Sequence, residues 1–213
     1  MSTKKFHPYS YSNDKNFVQI FFDFAVPVTL FFLFFYFYNF GKATPSEMVK
    51  TFGLLSITLL ALTLLVGPLA AILPFFNFLK AHRKIWGISS FLAGLIHGSL
   101  VYIYFFKFDL LKFVDSSNPK FFGLLSGVFA LTILALVTFT SNKFALSRLS
   151  PKTWKLIQNM SYLALILAVS HFYLEEAIKG VLVIKRLLGQ ITFGFAGLVI
   201  LTRIAVLILP KKK

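Results

Sequence analysis

The sequence predicts an all-α membrane protein, a bundle of six transmembrane helices with both termini on the cytoplasmic side. Of its 213 residues, 57% are hydrophobic and only 14% are charged, whereas soluble domains carry about 25% charged residues. The mean hydropathy is +0.78, and six apolar runs are each long enough to cross a bilayer of about 30 Å. These observations exclude a soluble globular protein and favour one transmembrane domain over residues 1–213.

The six predicted spans are all of helical length, about twice that of a membrane β-strand. They cover approximately 17–40, 52–76, 85–106, 121–140, 154–174 and 191–209. Three cap-then-proline signals mark helix starts: Thr44-Pro45 with Glu47 completing a capping box, Asn118-Pro119 and Ser150-Pro151. The first run is too long for a signal peptide, so we expect it to be retained as a span. No internal repeat is expected.

The orientation follows from the distribution of positive charge. The N-terminus, the second and fourth loops and the C-terminal tail share one side of a six-span bundle. That side carries Lys4, Lys5, Lys15, Lys80, Arg83, Lys84, Lys143, Arg148, Lys152, Lys155 and Lys211 to Lys213, against Asp14 alone. The opposite loops hold both signs of charge, so the positive-inside rule predicts cytoplasmic termini. Trp86 and Trp154 are then expected at the inner interface.

The composition also limits the chemistry. The chain has no cysteine, which excludes disulfides, thiolate catalysis and cysteine-ligated zinc or iron–sulfur clusters. The net charge of +15 resembles a nucleic-acid signal, but in a membrane protein basic residues collect near anionic lipid. We therefore expect contact with membrane lipid, anchored by the Lys-rich tail, and no nucleic-acid partner.

Four ionisable residues lie inside the predicted spans, where such groups are costly and often functional. They are His97 in the third span, His171 in the fifth, Asp23 in the first and Arg203 in the sixth. Asp23 and Arg203 have similar depths, so they are candidates for an ion pair, for a proton-handling or quinone site, or for separate hydration and snorkelling.

Two histidines on different helices are the minimum that can clamp a haem iron from both sides. Gly94 and Ala168 lie one turn before His97 and His171 on much the same helix faces, and their small side chains leave room for a flat macrocycle. The alternative is that the small residues allow close helix packing and each histidine hydrogen-bonds to a neighbouring helix.

The stretch HRKIWGISSFLAGLIH at 82–97, followed by TSNKFALSRLSPKTWKLIQNMSYLALILAVSH at 140–171, resembles the ferric-reductase-like transmembrane family. The resemblance is greatest to its compact branch, the haem-binding membrane subunit of bacterial periplasmic methionine-sulfoxide reductase systems. It implies b-type haem, iron ligation by His97 and His171, electron transport, and the bacterial inner membrane as location.

One position departs from the family pattern. The earlier histidine of the fifth helix is replaced by Gln158, and glutamine is a poor iron ligand. We therefore expect one haem rather than two. His82, the remaining inner-side histidine near these helices, is interpreted as an interfacial basic residue beside Arg83 and Lys84. The less favoured alternative is that His82 holds a second, inner haem.

The sequence places His97 and His171 at different depths in the membrane. Counted from Trp86 and Trp154, the two histidines differ in depth by about 9 Å at 1.5 Å per residue. A tilted third helix, or one that begins nearer Lys80, is needed to bring them level.

The resulting hypothesis is an electron-transfer subunit of an oxidoreductase system rather than a complete enzyme. We expect no flavin or nicotinamide domain within the sequence, so the donor is quinol or a cytoplasmic flavin reductase. The acceptor is an outer-side oxidoreductase subunit or a metal, with Glu175 and Glu176 as a docking surface. The alternative is a haem-free small transporter or assembly factor, in which Asp23, Arg203 and the histidines line a polar pathway.

Overall fold

The computed structural model describes residues 17–178 and 181–208, and the basic N-terminal segment, His7, Lys179 and the Lys-rich tail fall outside them. The described chain contains seven α-helices. They are α1 Phe17–Leu33, α2 Pro45–Ile72, α3 Arg83–Leu100, α4 Phe121–Phe139, the short α5 Lys143–Arg148, α6 Pro151–Glu176 and α7 Leu187–Ile208. Single π-helical turns extend α1 over Phe34–Tyr38 and α3 over Val101–Phe105.

Six of these helices are long and apolar enough to cross a membrane. This finding confirms the predicted six-helix, all-α membrane fold. The connections contain 3-10 turns at Pro74–Ala81 and Leu110–Phe113 and one very short antiparallel ribbon, β1 Ala177–Ile178 with β2 Val181–Leu182. Ala177 pairs with Leu182 in that ribbon.

Two of the three predicted helix starts are confirmed by their caps. The Thr44 hydroxyl accepts a hydrogen bond from the Glu47 amide at 3.4 Å, and the Ser150 hydroxyl accepts one from the Thr153 amide at 3.1 Å. The spans therefore begin at Pro45 and Pro151, several residues before the predicted limits. The apolar core of a span marks its centre, whereas the capping residues mark its start.

The third predicted start, Asn118-Pro119, is wrong. The Asn118 side-chain oxygen accepts from the amide of Lys120 at 2.9 Å, which closes an Asx turn instead of a helix cap. Helix α4 begins only at Phe121, after Lys120 at its N-cap position.

Helix α2 is the centre of the bundle. In its most apolar window 61% of the residues are buried, against 17% or less in each of the other five spans. It packs most extensively against α3, while α4 packs most extensively against α6. Leu64 of α2, Leu165 of α6 and Val199 of α7 meet in one core cluster. The bundle therefore consists of two helix pairs, α2 with α3 and α4 with α6, and α7 and α1 complete it.

Candidate functional site

The structure brings His97 and His171 together, although they lie on α3 and α6. Their ring centroids are 5.9 Å apart and the ring planes meet at 81°. The expected difference in depth between the two residues is therefore wrong. Both side chains face the same cavity.

The depth estimate assumed that Trp86 and Trp154 lie at one level of untilted helices. The 5.9 Å between the histidine ring centroids shows that this assumption does not hold. Trp86 is 5% exposed and stacks on His82 at 5.5 Å between centroids, whereas Trp154 donates to the Thr140 carbonyl in the loop after α4 at 3.2 Å.

Each histidine is fixed by a backbone carbonyl of the facing helix. Nδ1 of His97 lies 2.8 Å from the Val49 oxygen, and Nδ1 of His171 lies 2.8 Å from the Gly123 oxygen. A carbonyl oxygen only accepts, so Nδ1 carries the proton in both rings. Nε2 therefore keeps a lone pair on each neutral imidazole, the arrangement found in metal-ligating histidines.

Two glycines make room for these rings. A Cβ added at Gly53 would lie 3.0 Å from Nδ1 of His97, and one added at Gly127 would lie 2.9 Å from Nδ1 of His171. Gly53 is one helical turn after Val49, and Gly127 is one turn after Gly123. The sequence interpretation missed these four positions, because carbonyl acceptors and the absence of a side chain have no distinctive spacing relative to a histidine.

The two halves of the site repeat each other, contrary to the expectation of no internal repeat. Each carbonyl is 48 residues before the histidine that it holds. The segments that begin at the two glycines, GLLSITLLAL at 53–62 and GVFALTILAL at 127–136, share the glycine, a threonine and a Leu-Ala-Leu run at equivalent positions. This local similarity is the signal that could have identified both glycines in advance.

The histidines line a cavity of about 530 Å³, within the usual range for small-molecule sites of about 300–1,000 Å³. Gly94 and Ala168 line it as expected, together with apolar side chains such as Leu54, Ile57 and Phe172. Gly94 also allows close packing, since a Cβ there would lie 3.0 Å from the Ser56 hydroxyl. Polar residues lie at one end, the predicted outer end, and they include Ser46, Lys50, Asn118, Lys120, Glu175 and Glu176.

This donor set suits a metal that brings most of its own ligands. Among the described residues there is no group of three or more His, Cys, Asp and Glu side chains that could hold a bare metal ion. Two imidazoles bound on opposite sides of one metal at about 2.0–2.1 Å would place their centroids about 6.3 Å apart, close to the 5.9 Å found here. The two histidines would therefore be the residues that hold a metallated flat macrocycle in this cavity.

Gln158 connects two helices through hydrogen bonds. Its amide nitrogen lies 3.2 Å from the Ser141 hydroxyl and 3.3 Å from the Val137 carbonyl. These contacts tie α6 to the end of α4, and Gln158 does not line the cavity of the two histidines.

His82 is buried rather than exposed beside Arg83 and Lys84. It is 5% exposed, and its Nδ1 lies 2.9 Å from the Asp23 carboxylate. The Asp23–Arg203 ion pair is also wrong, because the Arg203 guanidinium instead lies over the ring of Tyr162, 4.8 Å from its centroid. Neither Asp23 nor Arg203 lines the cavity that contains His97 and His171. Asp23 and Arg203 therefore do not form one polar pathway with the two histidines in this cavity.

Glu175 differs from the expected free docking residue. Lys120 holds it through an ion pair of 3.2 Å with Oε2 and donates to its backbone carbonyl at 2.5 Å. The other carboxylate oxygen, Oε1, is buried without a hydrogen-bond partner. Glu175 is thus part of the cavity mouth, beside Glu176.

The same end of the bundle holds a cluster around Arg186. Its guanidinium donates to the Tyr38 carbonyl at 2.6 Å, to the Asn39 side chain at 2.8 Å and to Glu47 at 3.1 Å. The fully buried Asn39 in turn donates to the Thr51 hydroxyl. The cluster joins the segment before α7 to the ends of α1 and α2, and its Tyr38 lines the cavity.

The family described as "Ferric reductase like transmembrane component" matches residues 52–169, more than half of the 213 residues. The matched segment contains Gly53, His97 and Gly127, and it ends two residues before His171.

Proposed function

The chain belongs to the family of ferric reductase like transmembrane components, and we propose that it is a membrane electron-transfer subunit that holds one b-type haem between His97 and His171. The observation that carries the proposal is the geometry of these two rings. They lie 5.9 Å apart, and each gives its Nδ1 proton to a carbonyl. Both Nε2 lone pairs are consequently available to one iron.

The residues of this chain would bind and insulate the cofactor. Val49 and Gly123 orient the two imidazoles through their carbonyls, and Gly53 and Gly127 leave the space that the rings occupy. The apolar walls, with Gly94 and Ala168 among them, exclude water from the macrocycle faces. When bound, haem iron alternates between ferric and ferrous states and so carries single electrons.

One haem is proposed because the second pair of ligands is missing. Gln158 stands where the family pattern has a histidine and is engaged with α4. With glutamine at position 158, His82 lacks the partner ligand that the family pattern places on α6. Its ring stacks on Trp86 at 5.5 Å between centroids and does not line the cavity of the two histidines. These contacts support a single haem toward the predicted outer end.

The donor is a membrane quinol or a cytoplasmic flavin reductase, and the acceptor is an outer-side oxidoreductase subunit or a metal. A quinol is favoured because it diffuses within the bilayer and can approach a haem that lies far from the cytoplasmic side. The polar mouth of the cavity at the predicted outer end supports an acceptor on that side. The bacterial inner membrane is the proposed location, and the similarity to methionine-sulfoxide reductase subunits is part of this proposal.

Electron transfer can be measured in vesicles that contain the haem-loaded chain and a quinol, with ferricyanide in the surrounding water. We expect ferricyanide reduction several-fold faster than in protein-free vesicles, and a return to the protein-free rate in His97→Ala. A colourless purified protein without a Soret band would contradict the proposal and favour the haem-free transporter. A red protein that does not accelerate the reaction would contradict electron transfer from quinol alone.

A further inference from the structure

The cavity has cations at one end only. Lys50 and Lys120 line it beside the polar residues of its mouth, whereas the opposite end is formed by residues such as Ile57, Ala130 and Leu134. The end with the lysines also carries Glu175 and Glu176, so an occupant with a negatively charged edge would be held by the two lysine ammonium groups rather than by a net positive charge of the mouth. A flat apolar molecule with such an edge matches this lining. Haem b has that form, since its two carboxylates lie on one edge of the macrocycle.

Each lysine belongs to one of the two repeated halves of the site. Lys50 directly follows Val49, whose carbonyl holds His97. Lys120 precedes Gly123, whose carbonyl holds His171, by three residues. Each half of the bundle thus supplies one histidine, one carbonyl, one glycine and one lysine to the same cavity.

We propose that Lys50 and Lys120 form a carboxylate-binding subsite that receives the two propionate groups of the haem. The inference rests on the proposed function, because it names further residues for the same cofactor. The subsite would fix the orientation of the macrocycle about the axis through the two histidines, with its charged edge toward the predicted outer end.

Both lysines already lie near carboxylates of the protein, but their ammonium groups keep N–H donors for a further anion. Glu47 lies 3.5 Å from Lys50 but is also paired with Arg186 at 3.1 Å, so its charge is balanced without Lys50. Lys120 contacts Glu175, and an ammonium group has three donors to distribute. Glu175 and Glu176 line the same mouth, and their negative charges repel a bound carboxylate. Removing the charge of Glu175 should therefore increase the affinity of the subsite for a carboxylate.

The strength of the subsite is limited by exposure, since the side chains of Lys50 and Lys120 are 39% and 48% exposed. Partly exposed ion pairs are weak, so we expect a loss of about threefold in haem affinity for each lysine removed and about tenfold for both.

The test compares ferric haem with its dimethyl ester, which has the same macrocycle and iron but no charged edge. Both are titrated into the full-length apoprotein in detergent, and binding is followed by the Soret band. The native chain should bind haem about tenfold more tightly than the ester. The double variant Lys50→Met/Lys120→Met should lose this preference while its ester affinity stays unchanged.

Three further variants make the result specific. Lys112→Met removes an exposed lysine of the same loop region that does not line the cavity, and it should retain the native preference. Lys50→Arg/Lys120→Arg should restore the preference, and Glu175→Gln should increase it. Equal binding of haem and ester by the native chain, or an undiminished preference in the double Met variant, would overturn the inference and leave the haem proposal intact. Failure of both molecules to bind would contradict the proposed function and the inference with it.

Discussion

The imidazole rings of His97 and His171 lie 5.9 Å apart between their centroids, although they come from different helix pairs of the bundle. Each ring is held from behind by a carbonyl at 2.8 Å. The relationship therefore depends on three contacts, two of which involve only backbone on the opposite side.

Substitution of either histidine should remove the haem. We expect His97→Ala and His171→Ala to lose essentially all bound haem, because a single axial imidazole leaves one face of the iron without a protein ligand. His82→Ala and Gln158→Leu should keep most of it, since neither residue lines the cavity. The measurement is the amount of haem per folded polypeptide, determined by absorbance. Loss of haem in His82→Ala with the fold intact would show that the single-haem assignment is wrong.

The two glycines behind the rings should be intolerant of a methyl group. In Gly53→Ala and Gly127→Ala the new Cβ would lie 3.0 and 2.9 Å from the histidine Nδ1, so the ring must move away from its carbonyl. We expect at least a several-fold loss of haem affinity in each variant.

Gly194→Ala is the matched control, because a Cβ there has nothing within 4 Å. Alanine ordinarily stabilises a helix by about 0.5–1 kcal/mol relative to glycine, so haem loss in a well-folded variant is diagnostic. Unchanged haem titrations in both Gly53→Ala and Gly127→Ala would mean that the rings do not need their present positions.

The Asp23–His82 pair should stabilise the fold without holding the haem. Asp23 is 2% exposed and His82 is 5% exposed, and removing one partner leaves the other buried in a poorly solvated place. We expect Asp23→Asn to lower the free energy of unfolding by about 1–3 kcal/mol with haem content preserved. A double-mutant cycle with His82→Asn, followed by thermal unfolding in detergent, should give a coupling energy clearly different from zero; additive effects would show that the pair is not energetically linked.

Arg186 should fasten the segment before α7 to the rest of the bundle. Its three polar contacts reach Tyr38, Asn39 and Glu47, so Arg186→Ala is expected to cost about 1–3 kcal/mol and to increase protease cleavage near this segment. Lys185→Ala, which changes the exposed neighbour, should do neither. Equal behaviour of the two variants in a proteolysis time course would contradict the anchoring role.

The sequence was sufficient for the membrane fold, because long apolar runs and the caps at Thr44 and Ser150 are local signals. Because polar residues are rare within the spans, the sequence also pointed to His97 and His171, and the structure places both at one cavity. The sequence could not give the rotation of α1 relative to α3, which buries His82 against Asp23. Nor could it assign carbonyl partners, because Val49 and Gly123 contribute backbone atoms that every residue type possesses.

The distance between the histidines shows a related limit. Counting residues from Trp86 and Trp154 assumed that both tryptophans lie at one level of untilted helices, whereas the 5.9 Å between the histidine ring centroids is incompatible with that assumption. The repeat of 53–62 in 127–136 was a usable signal. Alignment of these two segments would have predicted equivalent positions for the glycines and, through them, a shared level for the histidines.

The most direct test of the central claim is the haem content of the purified full-length chain, determined by the pyridine haemochrome spectrum and divided by the polypeptide concentration. One haem b per polypeptide is predicted, with none in His97→Ala or His171→Ala. Absence of any haemochrome signal in the native chain would contradict the assignment of this cavity to haem, and two haems per polypeptide would contradict the single site between His97 and His171.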